Sequence, residues 1–445
     1  MLTFPKELYA DVRMEEVSET VLAYENGKLR QNKESSTAGA FLRVYDGKRW
    51  YYCATTALDS LQEELDVLTA MAQPNSDILS DPVVKRFQVN RDSVLRFGYT
   101  DLRRIPNGEK QALVEDYLPL LEEVEEISVS RARYEDKHVL RHFVSSLGAD
   151  ITYDYQHAGL LLGYSITAGD SPYDNSQRLY GQTFDEMKGQ HEKLRAGIAT
   201  DLDYAKNAVP VEPGVYTCVL APMVAGVFAH ESFGHKSEAD FMLGSETMCR
   251  EWAIGTKVGW EGLNIIDSGI PAGSGYCPYD DEGTKATETY LIKNGVLMGR
   301  LHSASTAAAL DEDVTGNARA IDFGFEPIVR MTATYIGGGS DTLEELLKGA
   351  EGGIYIPDYN HGSGMSTFTI APSRAYRIRD GKIAEPLRIS VISGNVMETL
   401  HKIDGATAET EFEHSAFGGC GKMEQYPLRI SDGGPYLRVR DIHVQ

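Results

Sequence analysis

Two histidines and a glutamate stand close together in AGVFAHESFGHKSEAD: His230, Glu231 and His235. A histidine pair on one element, with a carboxylate beside the first, is the pattern of a hydrolytic zinc site: imidazoles hold the metal and the carboxylate moves a proton. The familiar spacing of four puts both rings on one helix face. Here the spacing is five, which on a regular helix turns the second ring about 140° from the first. Two geometries restore convergence. A π-bulge inserts one residue into a turn, or the helix ends near Gly234 and a turn presents His235; a glycine suits either. The competing reading of HESFGH is a helix-end histidine bonded to backbone. A catalytic site also needs a third protein ligand while one position stays open. Cys420 in FGGCGKMEQ stands out, because Gly418, Gly419 and Gly421 leave its thiol unhindered and its backbone free to bend. Inert burial is the ordinary fate of a free cysteine, and His414 and His361 compete for the place.

Beyond these residues, a series of ordered motifs resembles one family. AHESFGHKSEAD, YDDEGTKATETYLIKNGVLMGRL, GNARA, VRMTATYIGGGSDTLEEL, ISGNVMETL and FGGCGKMEQYPLRISDGGPYLRV are similar to the TldD/PmbA metallopeptidases. ADVRMEE, ENGKL and TAGAFLRVYDGKRWYYCAT resemble that family's N-terminal domain, and the likeness is weakest over 76–205. The family has a metal-binding branch and a paired branch that has lost the site residues. This chain keeps His230, Glu231, His235 and Cys420 and so resembles the TldD-like, metal-binding branch. The resemblance implies that His230, His235 and Cys420 bind a zinc ion. It also implies that Glu231 is the general base of a peptidase acting on extended or unfolded peptides. A dimer is implied too, with a second copy or with a PmbA-like paralogue. The alternative is a non-catalytic partner subunit or peptide-binding scaffold. Two departures stand out: the chain begins almost at the first strand, without the leading helix often present, and CGKMEQ replaces the commoner CGKGGQ. The second predicts added bulk and charge beside Cys420.

Elements must position these residues. Apolar–polar alternation over Tyr9–Val17, Thr20–Tyr24 and Ala40–Tyr45 predicts short strands, with Asn26-Gly27 and Asp46-Gly47 as hairpin turns. Leu58, Leu61, Leu65, Leu68 and Met71 predict a helix over 56–72, and Leu113, Tyr117, Leu120 and Leu121 another over 109–125. Strands are expected at Ile127–Arg133 and His138–Ser145, and a helix from Phe184 to Asn207. Val215–Leu220 reads as a buried strand, and Pro222 starts an apolar helix running into His230. After Leu263, glycine-rich turns separate short strands, among them Ile328–Ile336, Thr367–Ile370 and Ala375–Ile378. One helix is expected at Thr342–Leu347, capped by Asp341. Asp280-Asp281-Glu282-Gly283 lacks calcium-loop spacing and reads as a structural turn near the site. Glu238 and Asp240 could orient a ligand histidine. Ser366–Ile370 is a candidate sheet edge for an extended peptide, with an ordinary core strand the favoured reading. The predicted class is α+β: a small sheet-plus-helix domain at 1–75, a mixed middle segment at 76–208, and a strand-rich domain at 209–445 carrying the metal-site helix.

Composition narrows the function classes. Against 43 Lys and Arg stand 66 Asp and Glu, a net charge of −23 that repels a polyanion, so no nucleic-acid partner is expected. No run of 18 apolar residues exists, so no membrane partner is expected either. The opening residues lack the apolar core of a secretory signal. Five scattered cysteines without a CxxC pair fit reduced thiols, which predicts a cytoplasmic location.

Overall fold

The computed structural model describes residues 2–168 and 172–445. Asn26 and Gly27 take φ of 48° and 71°, and their tight turn joins two long antiparallel strands, β1 (Tyr9–Glu25) and β2 (Lys28–Tyr45). β3 (Trp50–Thr55) pairs with the outer side of β2. Helix α1 (Leu61–Met71) lays Leu61, Leu65 and Leu68 against Ala10, Val12 and Leu42. The runs expected at Tyr9–Val17 and Thr20–Tyr24 are therefore one strand. Its other face buries Asp11, Arg13 and Glu15 in ion pairs with Arg43, Asp281 and Arg141, so polarity along the strand does not report exposure.

β4 (Arg91–Val94), β5 (Ile127–Ser145), β6 (Asp150–Ile166) and β7 (Tyr173–Gly181) complete a seven-stranded sheet, ordered β3-β2-β1-β5-β6-β4 with β7 also on β6. The two strands expected within 127–145 are one, because β1 and β6 pair with it along almost its whole length. Helices α2 (Asn107–Tyr117), α3 (Pro119–Glu122) and α4 (His191–Asn207) cover one end of the sheet, where Leu113, Tyr117, Leu120 and Leu194 pack with Leu22, Tyr134 and Leu160. α4 starts at His191, later than the expected Phe184.

The rest of the chain builds two further sheets around one helix. β8 (Val209–Pro210) and β9 (Gly214–Leu220) belong to an eight-stranded sheet, in which β9 lies between Ile354–Gly364 and Leu437–Val444. A six-stranded sheet contains Ile265–Ser268, Ala333–Ile336, Ser431–Gly434 and Glu411–His414. Helix α5 (Pro222–Ala229) packs against strands of both. Its residues are buried all round apart from Met223, as expected of a helix with no polar face. A side chain at Gly226 would come within 2.7 Å of the Gly433 nitrogen. That bare contact lets α5 lie directly on the strand Ser431–Gly434.

Thus the fold is α+β, with a strand-rich C-terminal half carrying the helix that runs into His230. Several local expectations change. Thr342, not Asp341, caps the helix Leu343–Lys348 through a reciprocal pair with Glu345, while Asp341 accepts the Ala406 N–H. Ile328–Ile336 splits into Ile328–Val329 and Ala333–Ile336, whereas Thr367–Ile370 and Ala375–Ile378 merge into Thr367–Arg379. Ser366–Ile370 is no edge: Thr367–Ile370 pairs with Ile392–Asn395 on one side, and Phe368–Ile370 with Gly362–Gly364 on the other. The turn Asp280–Gly283 sends Asp281 to Arg13 and Arg141 and Glu282 to Arg43. It ties the first sheet to the C-terminal half. Among the described residues no helix is long and apolar enough to cross a membrane.

Candidate metal centre

α5 does not continue as a regular helix. Residues His230–Gly234 form a π turn, followed by a short α turn at His235–Ser237, so of the two geometries open to HESFGH the chain takes the bulge. The extra residue brings i and i+5 to one side, with the ring centroids of His230 and His235 5.0 Å apart and nearly perpendicular. Phe228 and Phe233, both buried, anchor the turn in the core, each burial worth about 1.5–3 kcal/mol.

Cys420 arrives from far along the chain. Its hairpin, Cys420–Lys422 against Gln425–Leu428, follows a segment that presses into the first sheet: a side chain at Gly159 on β6 would meet Ala416 and Phe417 at 2.5 and 2.9 Å. Two cations hold the hairpin down. Arg330 donates to the Cys420 carbonyl at 2.8 Å. Lys422 reaches Glu238 at 3.1 Å, Asp240 at 2.7 Å and the Val329 carbonyl at 2.8 Å. The acids just after His235 are therefore bonded to the lysine just after Cys420.

One ligand atom from each of His230, His235 and Cys420 lies within 4.8 Å of the others. Cys420 Sγ is 3.4 Å from His235 Nε2. The far nitrogen of each ring meets a carboxylate: His235 Nδ1 is 3.2 Å from Glu238 and His230 Nδ1 is 3.1 Å from Asp432. Of the two acids that could orient a histidine, Glu238 is bonded to His235 and Asp240 pairs with Lys422. A thiolate with two imidazoles, each backed by a carboxylate, is a donor set that suits zinc, so the residues fit the metal that the motifs imply. Electrostatics agree. Burial pushes the Cys420 thiol up, yet His230 and His235 hold it well below its ordinary value. Burial lowers both imidazoles, but Asp432 and Cys420 bring His230 well above its usual value, and Cys420 and Glu238 bring His235 to about 9. The same negative charge that favours protons on these rings favours a cation between them.

Glu231 lines a cavity of about 560 Å³ together with all three. Burial raises its carboxyl, with His230 and His235 opposing. His361 lines this cavity but stands outside the three-residue group. His414 also stands outside: it sits on a strand, with Nδ1 2.9 Å from the Ser431 hydroxyl. Met423 and Glu424 occupy the exposed hairpin tip, not the cavity wall, so they add no bulk beside Cys420. Met423 has φ of 52°, a conformation that glycine adopts at no cost.

Sequence reasoning missed Asp432, Arg330 and Lys422. Only Asp432 carried a local hint, as the lone acid in SDGG, whose glycines admit α5. The other two act through carbonyls and distant acids that no spacing reveals.

Residues 213–445 match the profile described as PmbA/TldA metallopeptidase C-terminal domain, and residues 10–72 that of PmbA/TldA metallopeptidase domain 1. A metalloprotease of Synechocystis is 31% identical over 98% of this chain and 94% of its own length. A protein of Saccharolobus solfataricus named zinc metalloprotease TldD homolog is 33% identical over 70% of each chain. The crystal structure of TldE from Thermococcus kodakarensis shares the fold, with a TM-score of 0.72 at 16% identity over 98% of this chain and 96% of that one.

Proposed function

The chain belongs to the PmbA/TldD metallopeptidase family, and from that premise we propose that it is a zinc-dependent peptidase in which His230, His235 and Cys420 hold the metal and Glu231 is the general base. The observation that carries this reading is the convergence of three donor atoms within 4.8 Å on a cavity that Glu231 also lines. The chemistry zinc supplies when held there is Lewis acidity toward the scissile carbonyl and toward water. Glu231 follows a ligand in sequence and is half-buried, a position suited to taking the proton of the attacking water and passing it to the departing amine. Glu238 is bonded to His235 Nδ1 and Asp432 stands 3.1 Å from His230 Nδ1, which leaves the Nε2 of each ring as the nitrogen for the metal. A thiolate ligand gives the metal more electron density than a third imidazole would, which favours a slow, selective peptidase over a digestive one.

Extended peptides suit the cavity wall. Beyond Ile356 the strand Ile354–Gly364 loses β9 as a neighbour. Tyr359, Asn360, His361 and Gly362 then border the cavity and, among the described residues, have the strand Thr367–Arg379 on one side only. An unfolded peptide could pair there through backbone bonds, with little demand on sequence. Pairing of the chain with itself or with a PmbA-like paralogue rests on the family likeness, and sedimentation of the active form as a monomer would count against it.

Glu231→Gln tests the assignment. The variant should retain its zinc after dialysis while peptide hydrolysis falls about a hundredfold or more, the range for a lost general base. Undiminished turnover, with contaminating protease excluded, would remove Glu231 from the role.

A further inference from the structure

A second, smaller cavity of about 80 Å³ adjoins the one that Glu231 lines and shares Ser415, Gly418 and Arg429 with it. That volume exceeds the room one water needs several times over. Its charged and titratable lining is lopsided: Lys137, Arg141, His157, Arg319 and Arg429 against Glu135. Some of this charge is answered. Lys137 is paired with Glu19, Arg141 with Glu15 and Asp281, and Glu135 with Arg133. Arg319 and Arg429 are different. Among the described residues neither has a carboxylate within 4.0 Å, although Arg319 is only 2% exposed. Arg319 donates to the carbonyls of Met331 and Arg429. Arg429 donates to those of Ser274 and Tyr276 and lies 3.4 Å over the Tyr155 ring. Carbonyls and a ring face orient a guanidinium without a carboxylate bonded to it. Arg319 feels Asp281 only at longer range, and Arg429 is half-buried at the cavity wall, so both are left able to take a bonded carboxylate. The surroundings register that charge, since burial, Lys137 and Arg429 together drive His157 down to about 3.

We propose that this recess, lined by Arg429 and Arg319, is a subsite for a carboxylate of the peptide substrate, either its C-terminus or an Asp or Glu side chain. The inference rests on the peptidase reading above and adds a specificity to it. Arg429 borders both cavities, which sets the recess beside the groove that Glu231 lines. Guanidinium–carboxylate recognition is directional as well as strong, which suits a selective enzyme.

Four fluorescent hexapeptides, otherwise identical, test this: C-terminal acid or amide, each with Glu or Gln at the fifth position. Binding to zinc-loaded Glu231→Gln is read by anisotropy, and cleavage by the wild type is read separately. At low salt the carboxylate-bearing peptides should bind about ten- to a hundredfold tighter than the amide–Gln peptide, the range for a charge-assisted bond. The acid arm and the Glu arm tell which carboxylate is used. In Arg429→Gln that ratio should fall to near one, and in Arg429→Lys it should be partly kept. Equal binding of all four peptides to the parent protein overturns the subsite, and this result needs no Arg429 variant to fold. A clear carboxylate preference in binding with no cleavage of any peptide would instead overturn the peptidase reading and leave the subsite standing.

Discussion

Gly234→Ala should loosen the metal centre through a single contact. Gly234 has φ of −54° and ψ of −62°, ordinary helical values, so the glycine is needed for space rather than for backbone freedom. A Cβ placed there would lie 1.8 Å from Met331 Sδ, with Cε and Cγ at 3.1 and 3.2 Å. Met331 is itself fully buried and its carbonyl holds Arg319, so it must find a new rotamer inside the core or push the π turn outward. Overpacking of this kind costs about 1–3 kcal/mol, and the flexible thioether favours the lower half of that range. Met331→Ala alone leaves a cavity and costs about 2–5 kcal/mol. In the double variant the new methyl enters the space the sulfur has left, so the two changes should couple favourably by about 1–3 kcal/mol. Urea unfolding of the metal-free protein measures this cycle. Zinc affinity, by competition with a chromophoric chelator, should fall in Gly234→Ala as His235 is displaced from His230, and recover in part in the double variant. Strictly additive destabilisation would show that Met331 is not what excludes a side chain at 234. Destabilisation with zinc affinity intact would show that the turn does not set the ligand geometry.

Cys420→Ala should strip zinc on dialysis, whereas His414→Ala and His361→Ala should keep most of it, measured by elemental analysis. Equal zinc in wild type and Cys420→Ala would mean that another residue is the third ligand. Asp281→Asn should lower stability by about 3–5 kcal/mol, because it leaves the buried Arg13 and Arg141 short of a counter-charge. Zinc stoichiometry should not change. Burial raises the Asp281 carboxyl, but Arg13 and Arg141 bring it below its ordinary value. Its contribution is therefore fully present above about pH 4 and is lost as pH falls through the depressed folded value. The difference in unfolding free energy between wild type and variant should accordingly shrink on acidification below pH 4; a difference that stays constant there would refute the ion-pair account.

Much of this protein is written locally. The Asn26-Gly27 turn, the helix of Leu61, Leu65 and Leu68, the apolar helix ahead of His230 and the α+β class follow from patterns within a few turns of chain. So does the notion that His230, Glu231 and His235 serve one purpose. The tertiary structure decided what depends on distant partners. Strand lengths were misread because Asp11, Arg13, Arg43 and Arg141 are charged yet buried, each answered by an opposite charge from another strand or loop, and alternation cannot distinguish a paired charge from a solvated one. The π turn could not be told from a helix end, because Met331, nearly a hundred residues away, excludes a side chain at Gly234. Residue type alone left Cys420, His414 and His361 all open. What brings Cys420 beside the histidines is the grip of Arg330 and Lys422 on its hairpin. What brings Asp432 behind His230 is the bare approach of α5 to Gly433. Spacing along a chain fixes direction only within one element; between elements, direction is set by packing, and packing is a property of all the partners at once.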